Sequence, residues 1–294
     1  MNIIRMTGGL GNQMFQYALY LKLRSMGREV KMDDRSEYVL DNARPIMLWV
    51  FGIDYQAADQ KEINQLTDGN LNPLHRIRRK LFGRKSLEYQ EADCNFDEQV
   101  LQRDPAYLTG YFQSEKYFAD IAEQVREAFS FSERIWDGLD EKLVKRIKSY
   151  KEQIRNTRAV ALHIRRGDYL NVPELYGGIC TENYYAKAVS LMKERVPEAV
   201  FYVFSNDPVW AKSWVKQQEN EKNPMVVIEG AGEDTGYLDL MLMSECRHYI
   251  LANSSFSWWG AWLGKAKDKC VIAPAVWQNG KAQEDIYTEQ MIRL

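Results

Sequence analysis

Histidine and cysteine are scarce in this chain, with 3 and 4 copies among 294 residues. The histidines show no HxxxH spacing, and Cys94, Cys180, Cys246 and Cys270 form no CxxC pair, so the sequence offers no zinc site. Four scattered thiols fit a reducing compartment. No run of about 18 apolar residues occurs, and the start, MNIIRMTGGLGNQ, lacks the apolar core of a signal peptide. The expectation is a cytoplasmic protein. Lys and Arg number 39 against 41 Asp and Glu, a net charge of −2. That excludes a globally basic protein, and no nucleic-acid partner is expected. There is no GxxxxGK[ST] phosphate loop, no GxSxG nucleophile elbow and no DxD pair to hold a divalent ion on a nucleotide-sugar diphosphate.

What is present is enough for two cores. Hydrophobic residues make up 45% and charged residues 27%, with no low-complexity tract. The first 33 residues read as strand, glycine turn, helix, strand. Apolar side chains at Phe15, Leu19, Leu23 and Met26 have helical spacing, and Gly27 suits a helix C-terminal cap. Residues 35 to 130 are less regular and include a basic run, Arg76, Arg78, Arg79, Lys80, Arg84 and Lys85. The favoured reading of that run is a solvated helix face; the alternative is contact with anionic membrane lipids. Residues 137 to 156 are charged and helix-compatible, and the connection between domains is placed there, giving domains 1–150 and 151–294.

Beyond residue 158, apolar runs at 159–164, 199–204, 225–228, 248–252 and 270–274 alternate with helix-like stretches. That rhythm predicts an α/β fold with a parallel sheet and right-handed crossovers. The polar clusters fall at the carboxyl ends of these strands, where open α/β sheets bind ligands. They are His163 to Asp168, Ser205 to Asp207, and Asn253 to Ser257. In the first, Arg165 carries a planar fork suited to a leaving diphosphate, while Arg166 reads as a structural partner of an acid. In the third, Asn253, Ser254, Ser255 and Phe256 lead into a helix whose amino end can take an anion. Plain capping would account for one of those residues. Trp258, Trp259 and Trp262 have helical spacing, and two of the three are expected in the core. Asp239 is a lone acid among apolar residues; a solvated helix face is the favoured reading, and recognition of a base edge such as guanine's is the alternative.

The Gly8–Gln13 turn has two readings. Gly9-x-Gly11 after a strand, with Asp33 ending the next strand, is a partial dinucleotide fingerprint, but Met14 stands where the third glycine belongs. A glycine turn that presents backbone amides and the Asn12 amide to a cleft explains it equally well.

Taken together, GGLGNQMFQYA (8–18), GYFQSEKYF (110–118), HIRRGDY (163–169), FSND (204–207) and NSSFSWWGAWL (253–263) resemble, in order, the motifs of glycosyltransferase family 11, the α-1,2-fucosyltransferases. The resemblance implies a GT-B-like fold, two Rossmann-like domains facing a cleft, with the acceptor on the N-terminal side and GDP-fucose on the C-terminal side. It implies metal-independent inversion with no cofactor, and a galactose-terminated acceptor, free or lipid-linked. By motif, Arg165 holds the β-phosphate, His163 contacts the donor, Ser255 touches phosphate, Asp239 reads guanine, and Gly11, Asn12 and Gln13 lie at the cleft. The general base is less determined: Asp168 is preferred over Glu174, which follows Pro173 in an apparent loop. Two rival readings are an NAD-dependent oxidoreductase built on the N-terminal turn and a non-catalytic carbohydrate-binding protein.

Overall fold

A computed structural model describes residues 1–37, 44–218 and 222–294, with the side chains of Asp168 and Glu233 outside the described part. The chain divides into two compact units, residues 1–130 with 284–286, and residues 131–283 with 287–294. The connection expected at residue 150 falls inside a helix, Glu141–Arg155, and residues 131–150 pack with the second unit. That helix is charged overall, which gives it the look of a linker. Its Ile147 and Ile154, seven residues apart on one face, are nevertheless buried.

The first unit is built on a wholly parallel sheet of β1 (Asn2–Arg5), β2 (Val30–Asp33), β3 (Glu88–Gln90) and β4 (Ala106–Thr109), in the order β2-β1-β4-β3. Its helices are α1 (Leu10–Ser25), α2 (Gln60–Thr67), α3 (Pro73–Phe82), α4 (Glu98–Gln102) and α5 (Ala122–Ala128). Helix α1 is buried almost throughout its first three turns. It stops where expected, at Gly27, whose φ of +79° a side chain would resist. There the Gly27 and Arg28 amides bond back to the carbonyls of Arg24 and Leu23.

Strand order reverses between β1 and β4, and two glutamines hold the loops there. Gln16 accepts from the Thr7 amide at 3.1 Å and donates to the Gly110 carbonyl at 2.9 Å, joining the turns after the two strands. Gln13 is fully buried; its Nε2 donates to the carbonyls of Gly8 and Pro45, and its Oε1 accepts from the Met47 amide, each at 2.9 Å. Backbone groups of a tight turn have no ladder to satisfy them, and this side chain takes that role.

The second unit runs α6 (Glu141–Arg155), β5 (Arg158–Ile164), α7 (Pro173–Tyr176), α8 (Glu182–Arg195), β6 (Ala199–Ser205), α9 (Pro208–Gln218), β7 (Met225–Val227), α10 (Tyr237–Ser244), β8 (His248–Ile250), α11 (Ser255–Leu263), β9 (Val271–Ala273) and β10 (Met291–Arg293). The sheet is again all parallel, in the order β10-β9-β8-β5-β6-β7. Two α/β units on parallel sheets are the domain plan expected of a GT-B-like protein. The apolar runs from 159 to 274 all appear as strands because helices cover both faces and every position must be apolar. Tyr185, Phe201, Val203 and Trp214 form the centre of this core. Helices α10 and α11 approach closely where Gly260 meets Met243, with only 3.0 Å available to an added Cβ. Trp258, Trp259 and Trp262 are all buried, so the expectation of two core tryptophans is one short. All four cysteines are free thiols.

Gln13→Ala would leave the carbonyls of Gly8 and Pro45 and the Met47 amide without this partner. The expected loss is about 2–4 kcal/mol of stability, read as a lower unfolding temperature. An unchanged melt would show that the turn does not depend on this amide.

Candidate active site

In the second unit the chain adds β6 and β7 on one side of β5, then crosses to add β8, β9 and β10 on the other. The switch point is therefore the carboxyl end of the β5/β8 pair, where neither connecting helix covers the crevice. The motif after β5 and the motif after β8 meet there.

The turn after β5 is held from β6. The Arg166 amide donates to Asn206 Oδ1 at 2.9 Å, and a Cβ on Gly167 would stand 2.5 Å from Asn206 Nδ2, so a side chain there would displace that amide. The Arg166 guanidinium lies 4.3 Å over the Trp210 ring and 3.6 Å from the Asp207 carboxylate. It is structural, as expected. Arg165 is placed differently. Its guanidinium lies 5.5 Å over the Tyr169 ring, and Tyr169 stacks on Tyr176 with centroids 4.1 Å apart. Tyr169 also donates its hydroxyl to the Asn253 carbonyl at 2.8 Å, which ties the turn after β5 to the turn after β8. Tyr169 and Asn206 lie within the matched motifs, but their residue types alone did not single them out.

Across the switch point, Asn253 is buried and its amide is occupied: Nδ2 donates to the Trp277 carbonyl at 3.0 Å, and Oδ1 accepts from Cys180 Sγ at 3.3 Å. It shapes the loop rather than presenting an amide. Ser254 is the N-cap of α11, yet its side chain makes no cap bond. Ser257 Oγ turns to the carbonyls of Ala252 and Ser254 instead. Ser254 thus does not act as a plain capping residue. The amino end of a helix carries partial positive charge and suits an anion. His163 is buried, with its ring centroid 5.8 Å from that of Phe256 in the first turn of α11.

Asp239 corrects its favoured reading. It lies in the first turn of α10, which follows β7 and so starts at the same edge of the sheet. Its Oδ1 is inaccessible and has no hydrogen-bond partner, and burial pushes the carboxyl up from 3.8 to about 7. A solvated face would leave it at its ordinary value. The sequence could not separate the two cases, since a first-turn aspartate is a common solvated residue.

Of the two candidate bases, Glu174 is exposed on α7. This segment is not a free loop: Asn279 bonds the carbonyls of Leu175 and Gly177, both at 2.9 Å. Asp168 belongs to the turn at Gly167–Asn171, and its side chain lies outside the described part.

The first unit does not offer a dinucleotide site. Asp33, which would bind a ribose, is fully buried and accepts from the amides of Arg35 and Ser36 and the hydroxyls of Ser36 and Tyr107. Burial alone would raise its pKa, but those hydrogen bonds outweigh it and hold the carboxyl below the usual range. Gly11 is buried within α1, and the Gln13 amide is engaged as described above. Asn12 accepts from Gln113 Nε2 at 2.8 Å and is the member of this trio that keeps some exposure. Among the described residues no cluster of three or more His, Cys, Asp or Glu could hold a metal. A cavity of about 600 Å³, lined by Arg158, Arg195, Arg247 and Lys269 among others, lies at the amino end of the second sheet, away from the motifs.

Comparison with known proteins agrees with the motif order. The model of the family described as Glycosyl transferase family 11 matches residues 1–293. An α-1,2-colitosyltransferase of Escherichia coli is 34% identical over 94% of this chain and 91% of its own length. The O-antigen biosynthesis glycosyltransferase WbnK of the same species is 31% identical over 98% and 99%. Galactoside alpha-(1,2)-fucosyltransferase 1 of Rattus norvegicus is 27% identical over 87% of this chain and 61% of its own. Among solved structures, POFUT1 in complex with GDP-fucose aligns over 92% of this chain and 96% of that one, at 10% identity and a TM-score of 0.49, a likeness too weak to bear on the site.

The raised pKa of the half-buried Asp239 makes a stability prediction. Between about pH 4 and 7 the unfolded chain has released this proton and the folded chain retains it, so folding weakens as pH rises through that window. Asp239→Asn should therefore melt above the parent at about pH 8, with the two converging toward about pH 4. Equal melting temperatures at the higher pH would contradict the raised pKa.

Proposed function

This chain belongs to glycosyl transferase family 11, and we propose that it transfers fucose from GDP-β-L-fucose to O2 of a terminal β-galactoside, forming an α-1,2 linkage on a bacterial surface glycan. The observation that carries the reading is the arrangement at the β5/β8 switch point. Arg165 lies over a tyrosine whose hydroxyl is bonded to the Asn253 carbonyl, directly before the amino end of α11. A permanent cation and a helix amino end converge where a leaving diphosphate would gain charge.

In this scheme the acceptor O2 attacks C1 of fucose as the bond from C1 to the β-phosphate oxygen breaks, in one inverting displacement. Arg165, Ser255 and the first amides of α11 take up the charge developing on GDP. His163 and Phe256 line the donor side. Asp239 reads the guanine edge: N1–H and N2–H are the donors its buried oxygen lacks, and binding them returns the carboxyl to its charged form. A carboxylate after β5 receives the acceptor's proton late in the displacement, with Asp168 assigned that role ahead of Glu174. No cofactor enters the scheme. Positioning of the two substrates supplies much of the remaining rate.

The names of the relatives support the coarser parts of this reading: an α-1,2 linkage in two of them, O-antigen biosynthesis in the third. They also raise one competing sugar. The 34% identical relative is named for colitose, so a colitose donor is the second reading.

Purified protein incubated with GDP-fucose and lactose in the presence of EDTA should yield GDP and an α-1,2-fucosylated product by mass and linkage analysis. Preference for a colitose donor over GDP-fucose would move the sugar assignment, and absence of any turnover or GDP binding would remove the donor. Arg165→Ala should cut kcat by about a hundredfold or more with an unchanged melting temperature; near-normal turnover contradicts its role. For the base, Asp168→Asn should abolish most activity while Glu174→Gln retains it. The reverse pattern transfers the role to Glu174.

A further inference from the structure

Helix α3 is an anomaly in the first unit, because none of its residues is buried. A helix of ten residues is marginal in water without an apolar face to pack. This one is instead pinned by polar contacts. Arg78 pairs with the Asp68 carboxylate, and Arg79 Nη1 donates to the carbonyls of Asp68 and Asn70, both at 2.7 Å. Just past the helix, Arg84 donates to the Thr67 carbonyl at 2.8 and 3.0 Å, and the Lys85 amide donates to Asp68 Oδ2. Half of the basic run thus holds the helix down from its inner side.

The outer side is apolar. Leu74, Ile77 and Leu81 lie at i, i+3 and i+7, one stripe along the helix, and are 75%, 56% and 69% exposed. Leu71 before the helix and Phe82 at its end are 81% and 73% exposed. Beside the stripe, Arg76 and Lys80 are exposed and form no ion pair among the described residues. Arg76 and Lys80 are solvated, as expected of the run, but solvated helix faces are ordinarily polar and the exposed apolar stripe beside them is not accounted for.

We propose that α3 is an anchor that seats the protein on an anionic phospholipid surface. An apolar stripe flanked by two exposed cations complements a surface that is anionic outside and apolar beneath, and its side chains can enter the boundary between headgroups and acyl chains. Arg76 and Lys80 then reach lipid phosphates while their stems lie along the apolar stripe. The net charge of −2 provides no general attraction to such a surface, so the local cations supply it. The contact is peripheral: among the described residues no helix is long and apolar enough to cross a membrane. The proposal is independent of the donor assignment, and it would bring a lipid-linked acceptor within reach.

The full chain is mixed with phosphatidylethanolamine–phosphatidylglycerol vesicles and, separately, phosphatidylcholine vesicles, and sedimented. Binding is expected to the anionic vesicles, about tenfold or more above the neutral ones, and to fall steeply with added salt. Arg76→Glu with Lys80→Glu should weaken it about tenfold or more, and Leu74→Ser, Ile77→Ser and Leu81→Ser together should abolish it. These side chains are largely exposed, so the variants should melt near the parent, and the salt dependence of the parent needs no variant at all. Failure to sediment with anionic vesicles, or binding indifferent to both salt and variants, overturns the proposal. So does a parent dimer in gel filtration that the serine variant splits, because a second copy would then cover the stripe.

Discussion

A parallel strand cannot be followed by a hairpin; its successor must return across the face of the sheet. The functional reading of this protein depends on that constraint. Every strand in both sheets obeys it, so every turn that follows a strand emerges at one edge. In the second unit β5 is laid down first and its neighbours are added on one side, then the other. Two turns separated by about ninety residues of sequence, 163–169 and 253–258, become neighbours for that reason alone, joined by the bond from Tyr169 to Asn253. The first unit repeats the plan, with Gln16 joining the turns after β1 and β4.

The polar side chains at these edges divide into two groups. Gln13, Gln16, Asn206 and Asn253 are occupied with backbone groups that the turns leave without ladder partners. They hold shape. Asp239 is the opposite case: the residue is half-buried, its Oδ1 is inaccessible and unpartnered among the described residues, and burial raises its pKa. A folded protein that keeps such a group ready for a ligand gives up stability in the ligand-free state. Arg165 and the amino end of α11 stand at the same edge with charge of the opposite sign. In the proposed reading these and Asp239 would face the two ends of a guanosine diphosphate.

The strands from 158 to 273 were legible because helices cover both faces of the second sheet, and continuous apolar runs have no other explanation. β3 and β10 were not: each has three residues and lies at a sheet edge, with the exposed pattern of Glu88 and Gln90 in the first. The charged helix at 141–155 looked like a linker because its buried stripe is only two isoleucines wide. In the site, HIRRGD and NSSFSWW were legible as strand-end clusters, and so was Arg166 as the partner of an acid. Gln13 was misleading for a physical reason. An amide beside a glycine turn is chemically the same whether it serves a ligand or an orphaned carbonyl. Likewise, nothing in the letters around Asp239 distinguishes water from protein on the side its carboxyl faces.

The central claim is that the β5/β8 edge of the second unit is a guanosine diphosphate site. Hydrogen–deuterium exchange of the intact protein with and without GDP tests it directly. The account predicts slowed exchange in the turn after β5, in the first turn of α10 and in the first turn of α11, together and at one GDP concentration. Protection confined to the Gly8–Gln13 turn, or no protection at saturating GDP, would contradict it.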